Sequence, residues 1–211
     1  MKVVSLFSGG KDSTYATLLA HMQGWDVELL AVLSPPGSYM FHHPNVIWAE
    51  KQARAMGFPI SFANVSGKKE EEIEELCCVI SEFECDGVVS GAVRSEYQKE
   101  RIDYICENLG IRSFAPLWRK NEKRLIKEML EFGFEIMITS VSAEGMGRDL
   151  LGRIITPELV DEFSKKGINE VFEGGEAETF VVNCPFFSKR IDVKNTKVSW
   201  DGVRGELTFI E

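Results

Sequence analysis

The sequence predicts an α/β protein: a doubly wound, mostly parallel sheet over residues 1–141, then a small α+β subdomain over residues 142–211. Three features predict it. Through the first two-thirds, apolar runs alternate with amphipathic helical stretches. A glycine-rich loop follows the first apolar run directly. The last third changes to short strands and a hairpin signal.

Each element has its local reason. Val3, Val4, Leu6 and Phe7 make residues 3–7 a buried first strand. Residues 12–23 form a helix that Gly24 stops. Residues 27–33 are the second strand, ended by Pro35-Pro36-Gly37. Residues 45–56 are a helix closed by Gly57, and residues 60–65 are strand three. The run Lys68-Lys69-Glu70-Glu71-Glu72 is the solvated start of a helix over 69–84, with acids where the helix dipole favours them. Ile73, Leu76, Val79, Ile80 and Phe83 recur at helical spacing and carry Cys77-Cys78 into the core. Residues 87–90 are strand four, and 96–108 are a helix closed by Gly110. A short strand over 111–116, a helix over 121–132 and a strand over 134–141 complete the alternation. Apolar strands separated by helices of this length pair in parallel, with helices on both faces. In such sheets ligands sit at the carboxyl ends of the strands, where the strand order reverses. Beyond residue 141 come a helix over 156–166 with Pro157 in its first turn, strands over 180–184 and 190–200, and a hairpin through Asp201-Gly202 to 206–210.

The bulk numbers narrow the function. The chain has 211 residues, 44% hydrophobic and 27% charged, enough for one large domain with a small appendage. A net charge of −9 lacks the basic field that attracts polyanions, so no direct nucleic-acid partner is expected. No segment approaches the roughly 20 apolar residues of a membrane span. The five cysteines contain no CxxC pair, which argues against zinc of the usual spacing and for a reduced, cytoplasmic setting. A homo-oligomer stays open.

The segment Ser8-Gly9-Gly10-Lys11-Asp12-Ser13 lies between strand one and helix one. Two glycines let the backbone turn tightly and bring N–H groups against phosphate oxygens. Ser8 and Ser13 donate hydroxyl hydrogen bonds, the helix start adds partial positive charge, and Lys11 adds a full one. Asp12 repels bare phosphate, so it reads as a Mg²⁺ ligand or an orienting group. The pattern is neither a Walker A motif, since Ser5 stands where that motif needs glycine, nor a Rossmann fingerprint.

This loop resembles the phosphate loop of the N-type ATP pyrophosphatases, which bind ATP, release pyrophosphate and adenylate their substrate. Three further segments narrow the resemblance: the run from Ser90-Gly91-Ala92-Val93-Arg94 to Arg101, then Ala115-Pro116-Leu117-Trp118, then Glu173-Gly174-Gly175-Glu176-Ala177-Glu178-Thr179. Together they are similar to the diphthine–ammonia ligase family over almost the whole chain, with Ala177 departing from the bulkier residue expected there. The resemblance implies a Rossmann-like ATP-pyrophosphatase fold. It also implies ATP with Mg²⁺ as cofactors, and amidation of the diphthine carboxylate on elongation factor 2 by ammonia through an acyl-adenylate.

On that reading Lys11, Asp12, Arg101 and Glu176 are the candidate catalytic residues. Ser8, Gly9, Gly10, Lys11, Asp12 and Ser13 bind the nucleotide, and Asp12 is the candidate Mg²⁺ ligand. Tyr97, Gln98, Glu173, Gly174, Gly175, Glu176, Glu178 and Thr179 are candidates for substrate binding. The clustered glutamates hold a quaternary ammonium or ammonium, or form a solvated turn. Arg101 neutralises the adenylate or the leaving pyrophosphate, or belongs to an ordinary amphipathic helix. Trp118 is core, a cap on the site, or a face for a cation. His42-His43 falls in a segment that covers ATP, and Arg148 reaches a phosphate. Two rivals remain. A tRNA-modifying thiolase shares such a loop but uses sulfur-carrying cysteines. A non-catalytic nucleotide sensor similar to universal stress proteins would bind ATP without turnover.

Overall fold

The computed structural model describes residues 1–35 and 45–210. The predicted segment with His42 and His43 lies outside the described residues.

The first part is a five-stranded sheet of β1 (Lys2–Leu6), β2 (Asp26–Leu33), β3 (Ile60–Asn64), β4 (Gly87–Val89) and β5 (Arg112–Phe114). Its order is β3-β2-β1-β4-β5, and all four pairings are parallel. Successive residues of β1 face opposite ways, as strand geometry requires. Val3 packs with α1 (Lys11–Met22) and α2 (Ala49–Met56), whereas Val4 packs with α3 (Glu71–Ser81) and α4 (Glu96–Leu109). The chain lays β2 and β3 on one side of β1, then crosses to place β4 on the other. The strand order therefore reverses between β1 and β4, and the loops leaving these two strands meet there.

Caps fix the helix ends. Ser95 Oγ accepts from the Gln98 N–H at the start of α4, and Asn121 Oδ1 accepts from Arg124 N–H at the start of α5 (Glu122–Glu131). Thr156 Oγ1 does the same for Leu159 N–H, with Pro157 opening α6 (Pro157–Lys166).

The second sheet contains β6 (Glu135–Val141), β7 (Ala177–Asn183), β8 (Asn195–Trp200) and β9 (Gly205–Ile210), in the order β7-β6-β9-β8 with antiparallel pairing. Two sequence expectations need correction here. The strand over 134–141 does not extend the parallel sheet, because β6 lies inside the antiparallel one. The strand expected over 190–200 begins only at Asn195. The hairpin turn is tied by Asp201 Oδ1, which accepts the N–H groups of Val203 and Arg204. A third correction concerns Cys78, which is exposed rather than core.

One core joins the two sheets. Buried residues of α1 and α2 share it with β6, β7 and β9. Within it Phe209 stands edge-on to Trp48 at 5.1 Å and to Phe180 at 5.0 Å. The helical layer of α1 and α2 is thus covered on both faces, and the second sheet comes to rest beside the loop that follows β1. Among the described residues no helix is long and apolar enough to cross a membrane.

Candidate active site

The loop after β1 is held from three directions. Gly9 adopts φ +79°, open to glycine and strained for other residues. Its carbonyl accepts from the Val181 N–H of β7 at 2.9 Å and from Gln52 Nε2 of α2 at 2.9 Å. Gln52 Nε2 also donates to the Val181 carbonyl at 2.7 Å, and the side chain is fully buried. Lys11 N–H donates to Thr179 Oγ1 at 3.2 Å. From the β4 side Gly91 touches the loop closely: a Cβ there would lie 2.7 Å from Ser13 N and 2.8 Å from the Asp12 carbonyl carbon.

These contacts frame a cavity of about 650 Å³ at the carboxyl ends of β1, β2 and β4. Its size is that of a small-molecule site. Its polar wall carries Ser8, Gly10, Lys11, Asp12 and Ser13. An apolar wall is made of Leu6, Leu30, Val32 and Ile102. The third wall is the loop after α6, with Glu173, Gly174 and Gly175, continued by Glu178 and Thr179 of β7. Ala177 also lines it, at the first position of β7.

Electrostatics couples the walls. Lys11 is 3% exposed. Its Nζ lies 2.6 Å from Asp12 Oδ2, donates to the Val171 carbonyl, and stands 5.4 Å from the centre of the Phe172 ring. Asp12 Oδ1 is buried with no hydrogen-bond partner among the described residues. Burial pushes the Glu173 carboxyl above the usual range, and the negative charge of Asp12 adds to the shift. Glu173 Oε2 accepts the Arg94 N–H at 3.1 Å, which pulls the other way. The acidic loop and the phosphate loop therefore sense each other's charge.

The structure brings Ser8, Gly10, Lys11, Asp12, Ser13, Gln98, Glu173, Gly174, Gly175, Glu178 and Thr179 to one cavity. Gly9 lies behind the loop, against Gln52 and Phe180. Tyr97, Arg101 and Glu176 do not line the cavity. The Arg101 guanidinium stacks 3.4 Å from the Tyr97 ring centre and pairs with Glu70 at 3.0 Å, over the start of α3. The Glu176 carboxylate folds toward Gly174, and its Oε2 is buried without a partner among the described residues. Trp118 lies outside the cavity, beside a shallow recess with Glu96, Lys99, Glu100 and Asp103. Arg148 is exposed on a short 3₁₀ turn and stands apart from the cavity.

Comparison with known proteins decides the family. The model of the diphthamide synthase N-terminal domain matches residues 1–113, and that of the diphthamide synthase C-terminal domain matches residues 121–211. The chain belongs to the diphthamide synthase family. Its curated relatives carry the name diphthine–ammonia ligase. The human protein is 32% identical, over 94% of this chain and 85% of its own. The Danio rerio protein is 33% identical, over 100% of this chain and 94% of its own. The Schizosaccharomyces pombe protein is 29% identical, over 100% of this chain but 39% of its own. As a member of this family the chain is an enzyme of the ligase class.

Two residues of this diphthamide synthase chain that contact the phosphate loop are not among the predicted site residues, although Gly91 stands in the Ser90-to-Arg101 segment that carries the resemblance. Gln52 stands in a helix otherwise rich in alanine, and its partners are 43 and 129 positions away, so no local signal marks it. Gly91 carried a signal in its Ser90-Gly91-Ala92 context, a glycine just past a strand end, which often marks close backbone approach.

Proposed function

We propose that this chain catalyses ATP-dependent amidation of the diphthine carboxylate on elongation factor 2. ATP adenylates the carboxylate and releases pyrophosphate, and ammonia then displaces AMP to leave the amide. The observation that carries this reading is one cavity in which a phosphate-binding loop faces a carboxylate-rich loop, with Asp12 and Glu173 near enough to interact electrically. The family membership supplies the substrate class.

Roles follow from the walls. The N–H groups of the loop and the start of α1 hold phosphate oxygens, and Lys11 neutralises them after leaving Asp12. Asp12 Oδ1 is a buried carboxylate oxygen with no partner among the described residues, which suits a hard divalent cation. Among the described residues no group of three His, Cys, Asp or Glu could hold a metal by itself. Mg²⁺ would therefore be held by Asp12 together with nucleotide phosphates, and it would supply charge neutralisation at the transferring phosphorus. Glu173 and Glu178 place negative charge opposite the loop, where a cation is stabilised: the trimethylammonium of diphthine or the incoming ammonium. The apolar wall accommodates the base.

The test mixes the protein with ATP, Mg²⁺, an ammonium salt and elongation factor 2 bearing diphthine, and follows AMP and pyrophosphate. Release that requires the modified factor and disappears in Asp12→Ala is expected. Release indifferent to the factor would assign another acceptor, such as tRNA, and ATP binding with no AMP at all would favour a sensor.

A further inference from the structure

Among the described residues, five hydroxyl side chains line the cavity: Ser8, Ser13, Ser90, Ser95 and Thr179. Four are already engaged by the fold. Ser8 Oγ and Ser13 Oγ bond each other at 3.0 Å, Ser95 Oγ caps α4, and Thr179 Oγ1 accepts from Lys11 N–H. Ser90 is different. Its N–H donates to the Phe114 carbonyl at 2.9 Å, so its backbone is locked at the end of β4. The residue is 6% exposed, and its Oγ is buried with no hydrogen-bond partner among the described residues. A buried hydroxyl left unpaired costs about 1–3 kcal/mol, so natural structures rarely keep one without a purpose.

The position of Ser90 says what would pair with it. The next residue is Gly91, where the contact with Ser13 N and the Asp12 carbonyl carbon leaves no room for a side chain. Ser90 therefore sits one peptide from the first turn of α1, where free N–H groups and the helix dipole favour anions. We infer that Ser90 Oγ is a substrate ligand, donating a hydrogen bond to a phosphoryl oxygen of the nucleotide held by the loop. This rests on the ATP reading above and adds a contact from the β4 side of the cavity. Two sources supply that oxygen: the α-phosphoryl group that stays in AMP, and the pyrophosphate that leaves.

The experiment titrates AMP, pyrophosphate and adenosine into the full chain and into Ser90→Ala by calorimetry, with thermal melts of both. A hydrogen bond to a charged oxygen predicts about a tenfold loss of affinity in Ser90→Ala. Loss for AMP alone assigns the α-phosphoryl oxygen, loss for pyrophosphate alone assigns the leaving group, and adenosine binding is unchanged in either case. The melting temperature is expected to stay level or rise, because the substitution removes an unpaired buried group. Unchanged affinities, an equal loss for adenosine, or a lowered melting temperature would each overturn the inference. Wild-type protein that binds none of the three would overturn the ATP reading itself. Binding by wild type with an indifferent Ser90→Ala would overturn only the role of Ser90.

Discussion

Gln52 Nε2 donates to the carbonyl of Gly9 at 2.9 Å and to that of Val181 at 2.7 Å, so one buried amide ties the phosphate loop to β7. Both donors of the amide are used, and both acceptors are backbone. Gln52→Leu leaves two buried carbonyls with fewer donors and should cost about 1–3 kcal/mol. Gln52→Glu should cost more at neutral pH, because a carboxylate presents only acceptors to those two carbonyls, and acid should partly restore it by adding one donor. Chemical denaturation at neutral and acid pH measures both. A Gln52→Glu protein as stable as the wild type at neutral pH would sink the argument. Nucleotide affinity should fall in both variants, since the loop loses its tether.

Gly9 and Gly24 share almost the same backbone conformation, φ +79° and +77°, but not the same surroundings. A Cβ on Gly9 would lie 2.3 Å from Gln52 Oε1, whereas nothing stands within 4 Å of one on Gly24. Gly24→Ala should therefore show the conformational cost alone, about 1 kcal/mol. Gly9→Ala adds the clash and should lose at least twice that, together with ATP binding. Equal stabilities would mean that the Gln52 contact yields freely.

Gly91→Ala tests the other side of the loop. Its methyl would press on Ser13 N and the Asp12 carbonyl carbon, both backbone atoms that cannot rotate away. The first turn of α1 must shift, and nucleotide affinity should drop at least tenfold, equivalent to about 1.4 kcal/mol. Isothermal titration with ATP gives the answer, and a change below twofold would contradict the close approach.

Lys11 and Asp12 form a pair with side-chain exposures of 4% and 24%. Removing one partner of such a pair strands the other charge. Asp12→Ala should destabilise by about 1–3 kcal/mol, less than a fully buried pair because Asp12 keeps some solvent. The double variant Lys11→Met with Asp12→Ala should be no less stable than Asp12→Ala alone. A double-mutant cycle checks this, and simple additivity of the two losses would show that the charges are not coupled.

Much of this was legible in the chain because the signals are local. Unbroken apolar runs with glycine stops marked the parallel strands, and the loop of Ser8 to Ser13 carries its chemistry in adjacent residues. The sequence pattern of β6 does not reveal which sheet the strand joins, for a physical reason. Ile136, Ile138, Thr139 and Val141 are buried, β7 pairs along the strand and β9 joins it at Ser140 and Val141, and a largely buried inner strand reads alike in parallel and antiparallel settings. Arg101 shows another limit. Its spacing from Tyr97 correctly places the two side chains one turn apart, yet spacing cannot say which way that helix face turns, and here it meets Glu70. Gln52 acts through partners distant in sequence, so only the folded chain displays it.

Glu173 links the acidic loop to stability and to pH. Its carboxyl is held above the ordinary range, by burial first and the Asp12 charge second. The folded state thus binds this proton more tightly than the unfolded state, whose carboxyl titrates near about 4.3. Stability from this group is greatest below that pH. It falls as pH rises through the elevated folded value, and the loss is complete above it. Glu173→Gln removes the titration while keeping an amide oxygen to accept the Arg94 N–H. At pH about 7.5 the variant should melt above the wild type, and near pH 4 the two curves should converge. Amidation of the modified factor should drop in the same variant, because a neutral amide no longer favours a cation in the cavity. Higher stability with lower turnover would mark Glu173 as a group kept for function at the expense of the fold. A variant less stable than wild type at neutral pH would show that the Glu173 charge supports the fold instead.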